Sequence, residues 1–341
     1  INGGTLISTA DYAIYQPQTG TLTVNGGTIY GEAGAVAMKC GDLVINDGTL
    51  TSKGQGNTGT WGDGTGNLKN AALNFCKPNG NVTATIKGGK ITAEGNALVV
   101  DAQPTAGKKV DIAISGGTYS SDVSAYCADG FMTQKNEDGT YGITKYYAQV
   151  GETKYTSLKD AVAAAASSAT PVVLFNDVDQ AAVGALRIEK GKDIVLDLNG
   201  HSVRCSNSQQ GYIYVLGKLT LKDSKENSTG HIYSDSESNY VLGKYDKTLI
   251  YVEDGGEFVM ESGRIDAVME DAAKKGQFAV GVWGKGKVTI NGGTINAGWY
   301  AIAGNGNNEP ANTTITINGG TLISTADYAI YQPQTGTLTV N

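Results

Sequence analysis

Apolar and polar residues alternate in short runs along most of the chain, and one pattern keeps returning: apolar, any residue, apolar, polar, Gly, Gly, Thr, apolar. It stands as TVNGGTI at 23–29, AISGGTY at 113–119, TINGGTI at 289–295 and TINGGTL at 316–322, with variants VINDGTL at 44–50, TIKGGKI at 85–91 and VMESGRI at 259–265. Each copy predicts a strand, a turn and a second strand. In VTINGGTI the alternation sends Val288 and Ile290 to one face, Asn291, Gly292 and Gly293 supply residues tolerant of positive φ, and Ile295 returns to the apolar side. Between the copies lie short apolar runs, AIY at 13–15, AVAM at 35–38, ALVV at 97–100, VGVW at 280–283 and YAIA at 300–303, which predict further strands.

Three short strands per repeat, with a turn at each corner and no helix between them, predict an all-β fold: a parallel β-solenoid in which each coil pairs with the coils above and below. One coil alone buries nothing. A stack buries a continuous column of Ile, Val, Leu and Ala, and Asn or Thr at equivalent corners can form hydrogen-bond ladders along it. A doubly wound α/β fold would need crossover helices, which the pattern lacks. A β-sandwich also places strands about every 8 to 12 residues, but it has no reason to repeat one turn sequence so closely.

A longer repeat encloses the short one. Residues 1–25, INGGTLISTADYAIYQPQTGTLTVN, recur without a change at 317–341, a period of 316 residues. The chain is therefore expected to cover one full period plus the first 25 residues of the next copy, as a piece of a longer protein. One helix is predicted, over Leu158, Ala161, Val162 and Ala165, with Thr156 or Ser157 able to cap it. Placed just before the first coil, it would cover the raw end of a solenoid, where unpaired strand edges invite other chains. Residues 116–144, GGTYSSDVSAYCADGFMTQKNEDGTYGIT, leave the coil pattern, carry turn residues in NEDG at 136–139 and read as a closing cap. A boundary near residue 145 follows: 1–145 is the C-terminal part of one module with its closing cap, and 146–341 is the N-terminal part of the next. The stretch around 140–150 has no Gly/Ser or Pro run, so modules are expected to be coupled semi-rigidly.

The stretches VGETKYTSLKDAVAAA, VVLFNDV and IEKGKDIVLDLNGHSV (188–203) resemble the opening of right-handed parallel β-helix modules in large surface proteins of Gram-positive, often gut-dwelling, bacteria. GGTYSSDVSAYCADGF followed by NEDGTYGI resembles the way those modules end. With the GGT coils, the resemblance covers most of the chain. It implies the right-handed β-helix fold shared with pectate lyases, and a secreted or cell-surface, adhesin-like or filamentous repeat protein. Shared fold does not carry shared chemistry.

Composition narrows the function classes. With 48 Gly but only 6 Pro in 341 residues, collagen and proline-rich disorder are excluded. Forty per cent of residues are apolar, enough for a core, and 26 basic against 33 acidic residues leave no basic excess to hold nucleic acid. No apolar run approaches the length of a membrane-spanning helix, so no membrane insertion is expected.

Several residues invite a chemical reading. Glu253, Asp254, Glu257 and Glu261 lie in YVEDGGEFVMESGRIDA, and strand-borne carboxylates on neighbouring coils could form an acid–base pair of a glycosidase or bind Ca²⁺ for a lyase. Against this, polygalacturonase-type signatures are absent, Arg264 and Lys287 form no evident basic pair, and a solvated solenoid face has the same composition. His201 and His231 are the only histidines and have no metal-ligand partner at useful spacing; resemblance makes His201, in LDLNGHSV, a structural corner. Cys40, Cys76, Cys127 and Cys205 are widely separated and read first as free thiols, although an even count in an extracellular protein permits disulfides. NTGTWGDGTGN at 57–67 and NGNNEP at 305–310 have calcium-loop composition without calcium-loop spacing. The 51–80 insertion, with Trp61, is the candidate recognition loop. Eighteen Tyr against 5 Phe and 3 Trp could supply a stacking face for sugars or for a neighbouring filament, Tyr12 and Tyr15 among them. Those two are an odd number of positions apart, so on a regular strand their rings point to opposite faces.

The resulting expectation is a non-enzymatic extracellular structural protein whose partners are other copies of itself, in series or as a filament, with host or microbial glycans as further partners. A polysaccharide lyase or hydrolase and a glycan-binding module are the competing expectations. No cofactor is expected, and Ca²⁺ at the Asp/Asn/Gly stretches 57–67 and 305–310 is the alternative.

Overall fold

The structure is a computed structural model that describes the chain except for residues 54–70, 76–78, 101–106, 180–183, 206–210, 228, 235–247, 268–277 and 305–311, and the side chains of 211 and 212. It is all-β, 53% strand against 4% helix, with mostly parallel strands in stacked sheets, an arrangement compatible with a β-helix-like solenoid. The chain divides into two compact units, Ile1–Lys145 and Tyr146–Asn341.

In Ile1–Lys145 successive strands pass from one sheet to the next, and each third strand pairs in parallel with the strand one circuit earlier. The first sheet holds Thr5–Ser8, Thr28–Gly31, Thr49–Ser52, Lys90–Ala93 and Thr118–Tyr119. The second holds Tyr12–Gln16, Gly34–Met38, Ala71–Phe75 and Asn96–Val100, and the third Thr21–Val24, Gly41–Ile45, Val82–Ile86 and Val110–Ile114. In-register columns of apolar residues fill the interior: Ile29, Leu50 and Ile91 in one sheet, Val24, Ile45 and Ile86 in another, all fully buried. Beyond Tyr119 the pairing changes sense. Phe131–Lys135 and Tyr141–Lys145 form an antiparallel hairpin whose second strand lies antiparallel to Thr118–Tyr119. Its turn is tied by Asp138, whose carboxylate accepts from the Thr140 amide at 2.9 Å and hydroxyl at 2.6 Å; the hydroxyl contact leads in holding its pKa below the usual value.

Tyr146–Asn341 follows the same plan with its own core. One sheet runs from Val172–Leu174 through Asp193–Asp197, Lys218–Lys222, Glu257–Met260, Lys287–Ile290 and Thr313–Ile317 to Gly336–Val340. A second runs from Val178–Asp179 to Thr321–Ser324, and a third from Leu186–Ile188 to Ile330–Tyr331. Val288, Ile290 and Ile295 are fully buried while Thr289 faces outward, as the alternation in VTINGGTI requires. The unit opens with an antiparallel pair, Ala148–Val150 and Thr153–Tyr155, and the helix Leu158–Ala164. Ser157 is the cap, its hydroxyl accepting from the Asp160 amide at 3.3 Å, and Leu158, Ala161 and Val162 are buried. Lys192 donates to the carbonyls of Ala163 and Ala165 at 3.2 and 2.8 Å, satisfying acceptors left over at the helix end. Among the described residues antiparallel pairing is confined to Thr118–Leu174, where each unit stops propagating, so the meander of a sandwich is absent.

The Gly-Gly-Thr turn has one job in both units. Gly27, Gly48, Gly293 and Gly320 all have positive φ, and the carbonyls of Gly27, Gly48 and Gly293 accept from the Thr or Lys amide one circuit on, as in Thr321 N to Gly293 O at 2.9 Å and Lys90 N to Gly48 O at 2.8 Å. At Gly293 a Cβ would also lie 2.7 Å from the Gly263 carbonyl. Chain length between the second and third sheets of Tyr146–Asn341 varies without disturbing register: strands resume at Gly211 after Arg204, at Thr248 after Tyr233 and at Phe278 after Ala267.

Two substitutions test this account. Ile295→Ala should cost about 2–5 kcal/mol and Gly293→Ala about 1–2 kcal/mol from the left-handed backbone alone, read as shifts in urea midpoint. The outward Thr289→Ala should stay within about 0.5 kcal/mol.

Candidate functional site

The outer faces carry side-chain ladders set by the parallel register. At the Gly-Gly corner, Asn291 donates to Glu261 at 2.9 Å, Asn318 to Asn291 at 2.8 Å and Asn341 to Asn318 at 2.6 Å. In Ile1–Lys145 the same corner shows Asn25 donating to Asn2 at 2.7 Å and Asn46 to Asn25 at 2.6 Å. Identical amides stacked one strand spacing apart can each donate to the next and accept from the one before.

The four acidic candidates are drawn into such ladders. Glu257 stands in register between Lys218 and Lys287, 3.2 Å from the Lys218 ammonium, and Asp193 precedes Lys218, so charge alternates along the face. Glu261 accepts from Asn291, as above. Asp254 accepts from the Lys285 amide at 2.7 Å, and the Glu253 carbonyl closes the turn by accepting from Gly256 at 2.9 Å. Glu257 and Glu261 are four positions apart on extended chain, roughly 13 Å, beyond the span of about 5–9.5 Å that glycosidase carboxyl pairs occupy. The carboxylates of Asp254, Glu257 and Glu261 thus each brace one circuit against its neighbour, and Glu253 contributes its backbone.

The third sheet of Tyr146–Asn341 holds an aromatic array on its outer side. The Arg187 guanidinium lies 5.0 Å from the Tyr214 ring centroid, Tyr214 is 5.4 Å from Tyr251, and Tyr251 stacks on Trp283 at 4.1 Å and 13°. Gly281 occupies the rung in register with Tyr251, and a Cβ there would collide with the Trp283 ring, so the glycine makes room for the indole. Burial, with Glu253 and Tyr214 adding, pushes the Tyr251 phenol up to about 12. A second group joins Phe278, Trp299, Tyr300, Tyr328 and Tyr331; Tyr300 and Tyr331 stack at 4.9 Å, and Asp327 accepts from the Trp299 indole at 3.0 Å and the Tyr300 hydroxyl at 3.3 Å. Tyr251 and Trp283, stacked at close range, each spend one ring face on the other.

Tyr12 and Tyr15 fall on one strand, Tyr12–Gln16, with opposite fates: Tyr12 is 7% exposed, its hydroxyl accepting from Asn74 at 2.7 Å, and Tyr15 is 38% exposed. They form no joint surface. Trp61, Cys76 and the Asp/Asn/Gly stretches 57–67 and 305–310 lie outside the described residues. Among the described residues no group of three or more His, Cys, Asp or Glu is placed to hold a metal ion, and no helix is long and apolar enough to cross a membrane. His231 Nδ1 lies 3.1 Å from the Ser202 hydroxyl, and His201 Nδ1 lies 3.6 Å from Asp177.

Sequence reading passed over the buried carboxylates beside His201. Asp197 accepts from the Asn199 and Ser224 amides, both at 3.0 Å, and pairs with Lys222 at 3.2 Å. Asp223 accepts from Gly200 at 2.8 Å, Lys225 at 3.1 Å and Gly230 at 2.6 Å. The signal was present in the twin turns LDLNG and LKDS, but their partners lie one circuit away in sequence.

No family model, no curated protein and no solved structure matches this chain.

Cys40, Cys127 and Cys205 are free thiols, and burial, with Asp179 nearby, pushes the Cys205 thiol up to about 12. Native protein treated with iodoacetamide at pH 8 should therefore be alkylated at the partly exposed Cys40 and left unmodified at Cys205 until denaturant is added. Peptide mass spectrometry reads both sites.

Proposed function

We propose that the chain belongs to a non-enzymatic extracellular structural protein, a right-handed parallel β-helix of tandem modules that forms a stalk or filament. One observation carries the reading. The duplicated segment is the closing circuit of Tyr146–Asn341 and the opening circuit of Ile1–Lys145, and it makes the same corner bond in both places, Asn318 to Asn341 at 2.6 Å and Asn2 to Asn25 at 2.7 Å. Counted through that segment, the sheets ending at Gly336–Val340 and starting at Thr21–Val24 would share one strand in an unbroken parallel stack. A repeat unit of about ten to twelve coils at about 4.8 Å each would be a rod of roughly 50–60 Å.

Charge pairs, amide ladders and ring stacks running between circuits support a mechanical role, since each ties one layer to the next. The resemblance of the opening and closing stretches to bacterial surface modules supports an extracellular, adhesin-like setting. A lyase or hydrolase would need carboxylates converging with Arg or Lys in a groove, and the engagement of Asp254, Glu257 and Glu261 by adjacent circuits speaks against that use.

Electron microscopy of the native source material tests the proposal. Fibres with an axial repeat of roughly 50–60 Å or a multiple of it are expected, and discrete particles alone would sink it. In parallel, the quadruple change Glu253→Gln, Asp254→Asn, Glu257→Gln and Glu261→Gln should alter no polysaccharide-cleaving activity in reducing-sugar release or at 235 nm.

A further inference from the structure

The Gly-Gly corner places an asparagine before a glycine in successive circuits, Asn291–Gly292 and Asn318–Gly319. In an open chain this dipeptide is prone to lose its side-chain amide, because the glycine nitrogen has no Cβ beside it to hinder attack on the asparagine Cγ. Packing forbids a safer residue. A Cβ at Gly292 would lie 2.5 Å from the Glu261 carbonyl oxygen, and one at Gly319 would lie 2.6 Å from that of Asn291. The stack therefore demands the very glycine that makes each corner labile, and both asparagines are exposed to water. What restrains them is geometry. Asn291 and Gly292 both donate their backbone N–H to the Met260 carbonyl, at 2.8 and 3.3 Å, and Asn318 and Gly319 both donate to the Ile290 carbonyl, at 2.8 and 3.3 Å. The side-chain amides are held as well, Asn291 on Glu261 and Asn318 on Asn291. The attacking nitrogen and the leaving amide are thus each tied to the preceding circuit.

We infer that Asn291–Gly292 and Asn318–Gly319 are deamidation sites, silent while the circuits are stacked and active once a circuit opens, and that conversion of Asn291 keeps the opened circuit from closing again. In the open circuit the Gly292 nitrogen gives its proton to base and bonds to the Asn291 Cγ. The Cγ–Nδ2 bond then breaks, ammonia leaves carrying a proton back, and a succinimide ring remains. Water adds to one of the two ring carbonyls and opens it to aspartate or isoaspartate, so that asparagine and water become acid and ammonia. Neither product fits the ladder. Asn291 donates to the Glu261 carboxylate at 2.9 Å, whereas a carboxylate in its place has no hydrogen to offer and sets two like charges at that spot. Isoaspartate also inserts a methylene into the main chain between two registers fixed residue for residue, Ile290 with Met260 and Thr294 with Arg264. These corners lie within one unit and behave so whether or not modules join into a stalk.

The test uses the purified 341-residue chain at pH 8, kept folded or held in guanidinium chloride, with peptide mass spectrometry reading the amide-to-acid mass gain and heavy-oxygen water marking each new carboxyl. Conversion at Asn291 and Asn318 is expected to be at least about tenfold slower in the folded chain, since it proceeds only from molecules open at that circuit. Equal rates in the two states overturn the inference. Urea midpoints read its second half. Asn291→Asp should lower the midpoint, Glu261→Gln alone should change it little, and the two together should recover most of what Asn291→Asp loses, because a glutamine amide can donate to the new carboxylate. An unchanged midpoint in Asn291→Asp, or a double variant no more stable than the two single effects added, overturns the claim that deamidation bars closure. Should Asn291→Asp fail to fold, adding Glu261→Gln is expected to restore folding, and its failure to do so overturns the same claim.

Discussion

The backbone of each circuit can satisfy its N–H and C=O groups only on the circuits either side of it. Among the described residues no strand finds its parallel partner among its immediate sequence neighbours; Val288 pairs with Phe258 before it and Ile315 after it. Everything else is conditional on that constraint. Parallel in-register stacking brings like positions into contact, which is why asparagines meet asparagines, apolar residues form closed columns and the Gly carbonyl at each corner finds an amide above it.

The same constraint explains what the outer faces do with their chemistry. A carboxylate, a phenol or an amide that finds its partner one circuit away contributes to layer cohesion and is withdrawn from solution. Glu257 between two lysines and Tyr251 between Tyr214 and Trp283 are two versions of one solution, the first electrostatic and screened by salt, the second by ring contact and indifferent to it. At the C-terminal side of Ile1–Lys145 and the N-terminal side of Tyr146–Asn341 the rule is broken: a hairpin, or a hairpin with a helix, replaces the parallel strand.

Local features were legible in the sequence and lateral ones were not. The inward positions of Val288, Ile290 and Ile295 follow from alternation, and the helix from a capping Ser157 ahead of Leu158, Ala161 and Val162, because all the information lies within a few residues. The stack of Tyr214, Tyr251 and Trp283 was not legible because its members are 37 and 32 positions apart, and intervals between circuits are uneven. Tyr12 and Tyr15 were assignable to opposite faces by parity, but which of them would be covered depended on Gly34, a residue with no side chain to announce a contact.

The longest intervals in Tyr146–Asn341 lie at one corner, between its second and third sheets, where the chain resumes at Thr248 after Tyr233 and at Phe278 after Ala267 with pairing intact. Closing a longer excursion costs only a term logarithmic in its length, so insertions there are paid locally and never reach the ladders. The scaffold therefore separates two kinds of inheritance. The axial spacing is held fixed by hydrogen bonds, while one edge remains open to revision, letting descendants of this sequence change their outward appearance without losing their ruler.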